Sequence, residues 1–371
     1  MTRLKRIYRS RIIGFLFSLS TTYSLLHTAS NAQVTFERTY GGSNTDWGYS
    51  VKQTPDGGYI IVGSTRSFGV SGLDVYLIKT DSLGDTLWTR TYVYGANYGT
   101  YGFSLQQTSD GGFIIAGYTS PSSSTDSFDV YLLKTDSLGN TLLNKKYGGS
   151  RDDRGYSAQE TQDGGYIITG FMTPSGSGFS DVYLIKTDPL GDTLWTKTYG
   201  GGTESEVGYS VQETQDGGFI ITGGGFFTGS SFDVFLIKTT SLGDTLWTKT
   251  YGGFLIDYGH SVQETQDGGF VIAGSNSSFG AGVYDVWLIK TDSLGDTLWS
   301  RTYGETGQGE EGFSIQVTQD GGFIITGRTS SSMNSSEVYL IKTDSMGDTV
   351  AITKSEGFHV WTSSFAWRLL N

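Results

Sequence analysis

The chain has no cysteine, only four prolines and only three histidines among its 371 residues. Without cysteine there is neither a disulfide framework nor thiol chemistry, so packing and hydrogen bonding alone must hold the fold together. Long apolar runs are missing after the first 30 residues, and no later window has a 3.6-residue apolar period, which excludes a helical architecture. No phosphate loop, zinc spacing or nucleotide fingerprint is present. Nucleophilic catalysis also lacks its residues. His27 falls in the N-terminal leader, His359 in an unpatterned tail, and His260 stands where other copies of a repeat carry Tyr or Phe.

Positive charge is scarce as well. Arg3, Lys5, Arg6, Arg9 and Arg11 form a basic head, an apolar run follows from Ile12 to about Leu26, and Ser30-Asn31-Ala32 precedes Gln33. This pattern predicts a secretory signal peptide at residues 1–32, because the run is too short and serine-rich for a good membrane span. An uncleaved anchor is the alternative. Removal of the leader leaves 20 basic and 37 acidic residues, a net charge of −17. So acidic a surface argues against nucleic acid and anionic membranes as partners. The expected location is extracellular, at the cell surface or periplasmic, with the chain a monomer and no span after cleavage.

Glycine (55 residues) and aromatics (14%) are plentiful, a mixture suited to short strands and tight turns. An Asp-Gly-Gly triplet recurs at Asp56, Asp110, Asp163, Asp216, Asp267 and Asp320, spaced by 54, 53, 53, 51 and 53 residues. Steady periods near 50 mark an array of one supersecondary unit. Within residues 155–199 the unit reads as four strands. Tyr156–Thr161 leads through Asp163-Gly164 to the apolar Tyr166–Thr169. Asp181–Thr187 is apolar on both faces, and Asp188-Pro189-Leu190-Gly191-Asp192 turns the chain into Thr193–Tyr199. Strands apolar on both faces must be covered on both sides. Six such units predict an all-β, six-bladed β-propeller over residues 33–355, leaving 356–371 unassigned. Val34–Tyr40 copies a fourth strand, with Phe36 where Trp88 stands, and is expected to complete the sixth blade. The alternative gives that slot to 349–354, whose Ala351 and Ser355 replace the usual Trp and Tyr.

Tyr40-Gly41-Gly42-Ser43-Asn44-Thr45-Asp46-Trp47-Gly48-Tyr49, followed by Asp56-Gly57-Gly58-Tyr59-Ile60-Ile61-Val62-Gly63-Ser64-Thr65, resembles the bacterial β-propeller repeat called the SBBP repeat. The resemblance spans about residues 34–350 and implies an exported or surface-associated bacterial protein. Asp81-Ser82-Leu83-Gly84-Asp85-Thr86-Leu87-Trp88 is similar to the docking motif of quinoprotein-type propellers. It is one residue shorter between Asp and Gly, and no cluster that would hold a quinone accompanies it.

The hairpin turns are nearly invariant, whereas the second-to-third-strand loops and the links between blades vary. Strand reversal puts both variable sets on one face, where binding is expected. Its aromatic candidates are Trp47, Phe68, Tyr98, Phe128, Phe179, Phe226, Phe227, Phe232, Phe279 and Tyr284, suited to a glycan or protein ligand. The competing account has them filling gaps and rimming the disc. Asp46, Asp153, Glu206, Asp257 and Glu310 form a series of acids before the first strands, broken by Thr100. They would either hold Ca²⁺ or accept N–H bonds within their own turns. The expected function is a secreted, non-catalytic binding scaffold. A polysaccharide hydrolase or lyase using mouth carboxylates, and a structural surface component, are the alternatives.

Overall fold

The computed structural model describes residues 36, 38–70, 72–95, 98–121, 128–176, 178–200, 204–226, 231–332 and 335–354. The expected signal peptide and the 356–371 tail lie outside the described residues. The chain forms a six-bladed β-propeller, all-β, with six four-stranded antiparallel sheets in a ring. The blades are residues 46–92, 98–147, 153–199, 206–251, 257–303 and 309–354.

Blade 3 shows why each unit folds. Its strands are Asp153–Glu160, Tyr166–Met172, Asp181–Thr187 and Thr193–Tyr199, paired in that order. In the first hairpin Gly164 takes φ of 80°, a left-handed turn that glycine enters at no steric cost. Asp163 Oδ1 accepts from the Thr161 hydroxyl (2.6 Å) and the Gly165 N–H (3.0 Å). Lys186, almost fully buried in the third strand, donates to Asp163 Oδ2 (2.8 Å) and to the Thr187 carbonyl (2.9 Å). One lysine thus ties the first turn to the third strand, and the same ion pair recurs in every blade.

The apolar faces of the second and third strands interlock with those of neighbouring blades. Ile114, Val130 and Leu132 of blade 2 pack on Ala158, Tyr166, Ile168 and Ile185 of blade 3. Ile167, Val182 and Leu184 then pack on Val211, Phe219, Ile221 and Ile237 of blade 4. Fourth strands dock forward onto the next blade's second turn. Tyr199 Oη donates to the Gly243 carbonyl (2.8 Å), Lys197 pairs with Asp244 (2.8 Å), and Trp195 lies 5.9 Å from Phe219 between ring centroids. The turn glycine is required there, since a Cβ on Gly243 would come within 2.8 Å of the Trp195 ring.

The junction between blades 6 and 1 differs from expectation. The fourth strand of blade 6 is Thr349–Lys354, in the register its counterpart keeps in blade 5, so the slot expected for 34–40 is filled, and the described residues 36 and 38–40 do not complete that sheet. The slot goes to the segment joined to it by a five-residue hairpin turn, with Asp344 N–H donating to Asp348 O at 2.9 Å. Closing that short loop costs far less entropy than bringing in the chain's other end. Phe36, Arg38 and Tyr40 instead dock on blade 1 with the contacts of a preceding blade's outer strand. Tyr40 Oη donates to Gly84 O (2.7 Å), Arg38 pairs with Asp85 (3.2 Å), and Phe36 meets Tyr59 edge-on at 5.6 Å. This junction is also the loosest. Val286 and Leu288 of blade 5 are 0% exposed, whereas their counterparts Val338 and Leu340 in blade 6 are half-buried. Near the axis, the amide oxygens of Gln159, Gln212 and Gln263 each accept an N–H of the next blade at 2.8 Å. The equivalent Gln316 Oε1 has no partner.

Bonds from lysine and threonine hold all six turn aspartates at about 2. At Asp56 and Asp320 the threonine hydroxyl is the strongest influence; at the other four, burial pushes upward and is outweighed by the lysine, threonine and backbone bonds together. A carboxyl whose folded pKa is depressed stabilises the fold above its unfolded value of about 4, and that stability is lost as pH falls through about 2. Asp163→Ala should therefore lower urea stability at pH 7 by about 1–3 kcal/mol, because it strips a buried lysine of its charged acceptor and leaves it only the Thr187 carbonyl. The deficit should shrink as the pH is taken from 4 to 2. An undiminished deficit at pH 2 would contradict the assignment.

Candidate site at the variable-loop face

Both sets of variable connections lie on one face and interlock there. The N–H groups of Asp153, Glu206, Asp257 and Glu310 donate to Phe128, Ser180, Phe232 and Tyr284 carbonyls of the preceding blades at 2.7–2.8 Å. Each link is thereby tied to the preceding blade's loop.

A β-bulge in every first strand builds the centre of this face. In blade 3, Gly155 pairs with Gly170 and Ser157 with Thr169, so Tyr156 is the extra residue. A bulge re-aims its residue out of the regular alternation. The six bulge residues are Tyr49, Phe103, Tyr156, Tyr209, His260 and Phe313. Their rings run as a chain from blade to blade, with centroid separations of 4.7, 5.9, 5.5, 5.3 and 5.2 Å. This aromatic belt floors the mouth. Burial, and then the positive charge of Arg328, holds the His260 imidazole well below its usual range.

The walls above the belt are unequal. On the side of blades 2 and 3 stand Tyr101, Tyr118, Phe128 and Phe171. The Arg154 guanidinium lies 4.9 Å from the Tyr118 ring centre, 4.3 Å from Phe128 and 5.7 Å from Phe171, and is held by Asp152 through two 2.9 Å bonds. The corresponding positions of blade 6 carry the ion pair Arg328–Glu311. Blade 1 offers Trp47 beneath Arg66, at 5.8 Å.

The aromatic residues expected from sequence divide between mouth and rim. Trp47 and Phe128 pack against the belt, Phe232 lies 5.1 Å from Tyr258, and Phe226 packs edge-on to Phe232 at 5.3 Å. Tyr284 pairs by backbone with the start of blade 6. Phe68 and Phe279 belong to the rim, covering Tyr76 and Trp287 of their own blades at 5.3 and 5.6 Å, and Phe179 is an exposed loop residue. Tyr98 opens the first strand of blade 2, but its side chain and Phe227 lie outside the described residues. Tyr101, Arg154, Phe171 and Tyr258 were not expected. They sit inside strands, two residues before a bulge residue or just after the glycine of a second strand, and only comparison of repeats at those positions would have marked them.

The series of acids does not face the mouth. Asp46, Asp153 and Asp257 each accept the N–H of a link glycine at 2.7–3.0 Å, and Thr329 donates to Glu310 at 3.0 Å. Glu206 is buried at the junction of blades 3 and 4. These are turn-ordering contacts. Among the described residues no three acidic, histidine or cysteine side chains converge as a metal cage.

No protein-family model and no curated protein matches the chain. It is similar in structure to an ulvan lyase of a polysaccharide-lyase family bound to a GlcA(1-4)Rha3S unit, with a TM-score of 0.53 and 11% identity over 83% of this chain and 81% of that one. A protein of unknown function from Dyadobacter fermentans matches with a TM-score of 0.48 and 12% identity (84% and 94% covered). YCF48 bound to a D1 peptide matches with 0.47 and 10% (85% and 82%). At 11% identity the likeness to the lyase is one of fold alone.

A base whose folded pKa is depressed gives stability above its unfolded value and loses it as pH falls below that value, about 6.5 here. The imidazole of His260 should show no protonation shift by NMR between pH 8 and pH 5. His260→Phe, which restores the residue type of the other blades, should stabilise the chain more at pH 5 than at pH 8. A normal titration near 6.5 would refute the packing described.

Proposed function

We propose that the protein is a non-catalytic binding scaffold whose ligand, a glycan or a protein segment, enters the variable-loop mouth. The observation that carries this reading is the half-buried aromatic wall of Tyr101, Phe128 and Phe171 around Arg154, above a floor of rings. Aromatic faces and a guanidinium fixed by Asp152 present large apolar area and oriented donors with little entropy left to lose. That suits sugar faces and aromatic or acidic side chains. Of the carboxylates expected to act in hydrolysis, Asp46, Asp153 and Asp257 are engaged by link N–H groups and Glu310 by the Thr329 hydroxyl, which favours binding over polysaccharide cleavage. The basic head and apolar run of residues 1–32, with the SBBP-like repeats, support an exported bacterial protein.

Glycan arrays and pull-downs against extracellular material should give a ligand whose affinity falls at least about tenfold in Arg154→Ala and Phe171→Ala, the loss typical of an interface anchor. Phe68→Ala and Phe279→Ala, at the rim, should leave it unchanged. Loss confined to the rim variants would move the site. Polysaccharide turnover by the purified chain would overturn the non-catalytic reading.

A further inference from the structure

In blades 2 to 5 the third strand opens with an acid that lies beside the acid at the start of the next blade's first strand. At the junction of blades 5 and 6, a Cβ on Gly304 would collide with Asp285 Oδ1 and come within 2.9 Å of Glu310 Oε2. At the junction of blades 4 and 5, one on Gly252 would collide with Asp233 Oδ1 and come within 2.9 Å of Asp257 Oδ2. Each pair of carboxylates thus shares one small space beside a link glycine. Asp285 is 1% exposed and its Oδ2 accepts from Gly282 N–H (3.1 Å), but its Oδ1, turned toward Glu310, is buried without a hydrogen-bond partner. Asp233 Oδ1 is buried without one too, while Oδ2 accepts from the Ser231 hydroxyl (3.0 Å). An unpaired buried carboxylate oxygen facing a second carboxylate is costly unless positive charge enters the site.

The repeats contain their own controls. At the junction of blades 2 and 3, Lys146 Nζ bonds Asp129 Oδ2 at 2.6 Å, beside Asp153. Lys146 stands opposite Tyr131 in its sheet, and the residues in that register position in blades 4 and 5 are Thr250 and Thr302. At the junction of blades 1 and 2 the second acid is absent, replaced by Thr100, whose hydroxyl bonds Thr119 at 3.1 Å. The junction of blades 2 and 3 thus has its cation built in, whereas those of blades 4 with 5 and of blades 5 with 6 have a threonine in its place.

We propose that the junctions of blades 4 with 5 and of blades 5 with 6 each bind one Ca²⁺ between their paired carboxylates, Asp233 with Asp257 and Asp285 with Glu310. The donors are all oxygen, which selects a hard cation, and two carboxylates with water or carbonyls completing the shell suit the flexible coordination of Ca²⁺ better than Mg²⁺. So few charged ligands set the affinity in the range of extracellular modules, about 10⁻⁴–10⁻³ M.

Thermal unfolding of the chelator-treated full chain tests this. Millimolar Ca²⁺ should raise Tm by a few degrees, and equal Mg²⁺ by less. Asp233→Asn with Asp285→Asn should abolish the response. Thr250→Lys with Thr302→Lys, which copies Lys146, should raise the Ca²⁺-free Tm and also abolish it. Isothermal titration of the unmodified chain, independent of any variant's folding, should show saturable Ca²⁺ binding. No binding, or a response undiminished in the lysine variant, would overturn the proposal.

Discussion

A sheet whose two middle strands are apolar on both faces has to be covered twice, and everything else in this molecule follows from that requirement. Ile167 and Leu184 look toward blade 4 while Ile168 and Ile185 look toward blade 2, and all four are almost fully buried. Such a sheet cannot stand alone or rest on one partner. Repetition supplies an identical partner on either side, and the twist of each sheet bends the row into a ring. The fourth strand is exempt: its Leu194, Leu246 and Leu298 are 56–58% exposed, and its role is to reach forward through Trp, Lys and Tyr onto the next blade's turn.

The ring has one junction where this covering is incomplete. The chain carries seven outer-strand sequences for six blades. Thr349–Lys354 takes the sixth slot because a hairpin delivers it, although Ala351 has no ring to reach forward. Phe36, Arg38 and Tyr40 supply the forward contacts on blade 1 without belonging to blade 6's sheet. Pairing and docking, done elsewhere by one strand, are here done by two. Half-buried Val338 and Leu340, and the unanswered Gln316 amide, are the consequences.

Much of the fold was legible because its causes are local. Asp-Gly-Gly and Ser-Leu-Gly-Asp specify their turns through side-chain oxygens and positive-φ glycines within five residues, so hairpins and blade count could be read directly. The closure could not. It depends on whether a short loop outweighs better docking residues, a balance between entropy and contacts that pattern alone leaves open. The site was half legible for a related reason. Variation in the loops was visible, but a bulge that turns Tyr156 out of the strand alternation carries no local signature, so the belt and Arg154 were hidden inside apparent scaffold. The third-strand aspartates were visible as a repeated feature, yet what they meet belongs to the next blade, more than 20 residues on.

The same bulge explains how a nearly uniform scaffold has an asymmetric mouth. Within the flat part of a strand, each side chain is pinned between two blades and its size is fixed by both. The bulge residue escapes that sandwich and stacks on its counterparts around the axis. Positions stacked on it are therefore constrained from one side only, and there the blades diverge: Trp47, Tyr101, Arg154, Val207, Tyr258 and Glu311 occupy one such position in turn. Burial on both faces enforces sameness between blades, and release from it at the mouth permits difference. A ligand that distinguishes directions across the disc would be read there and at the residue after each second-strand glycine, where Ser64, Tyr118, Phe171, Gly224, Ser275 and Arg328 differ as widely.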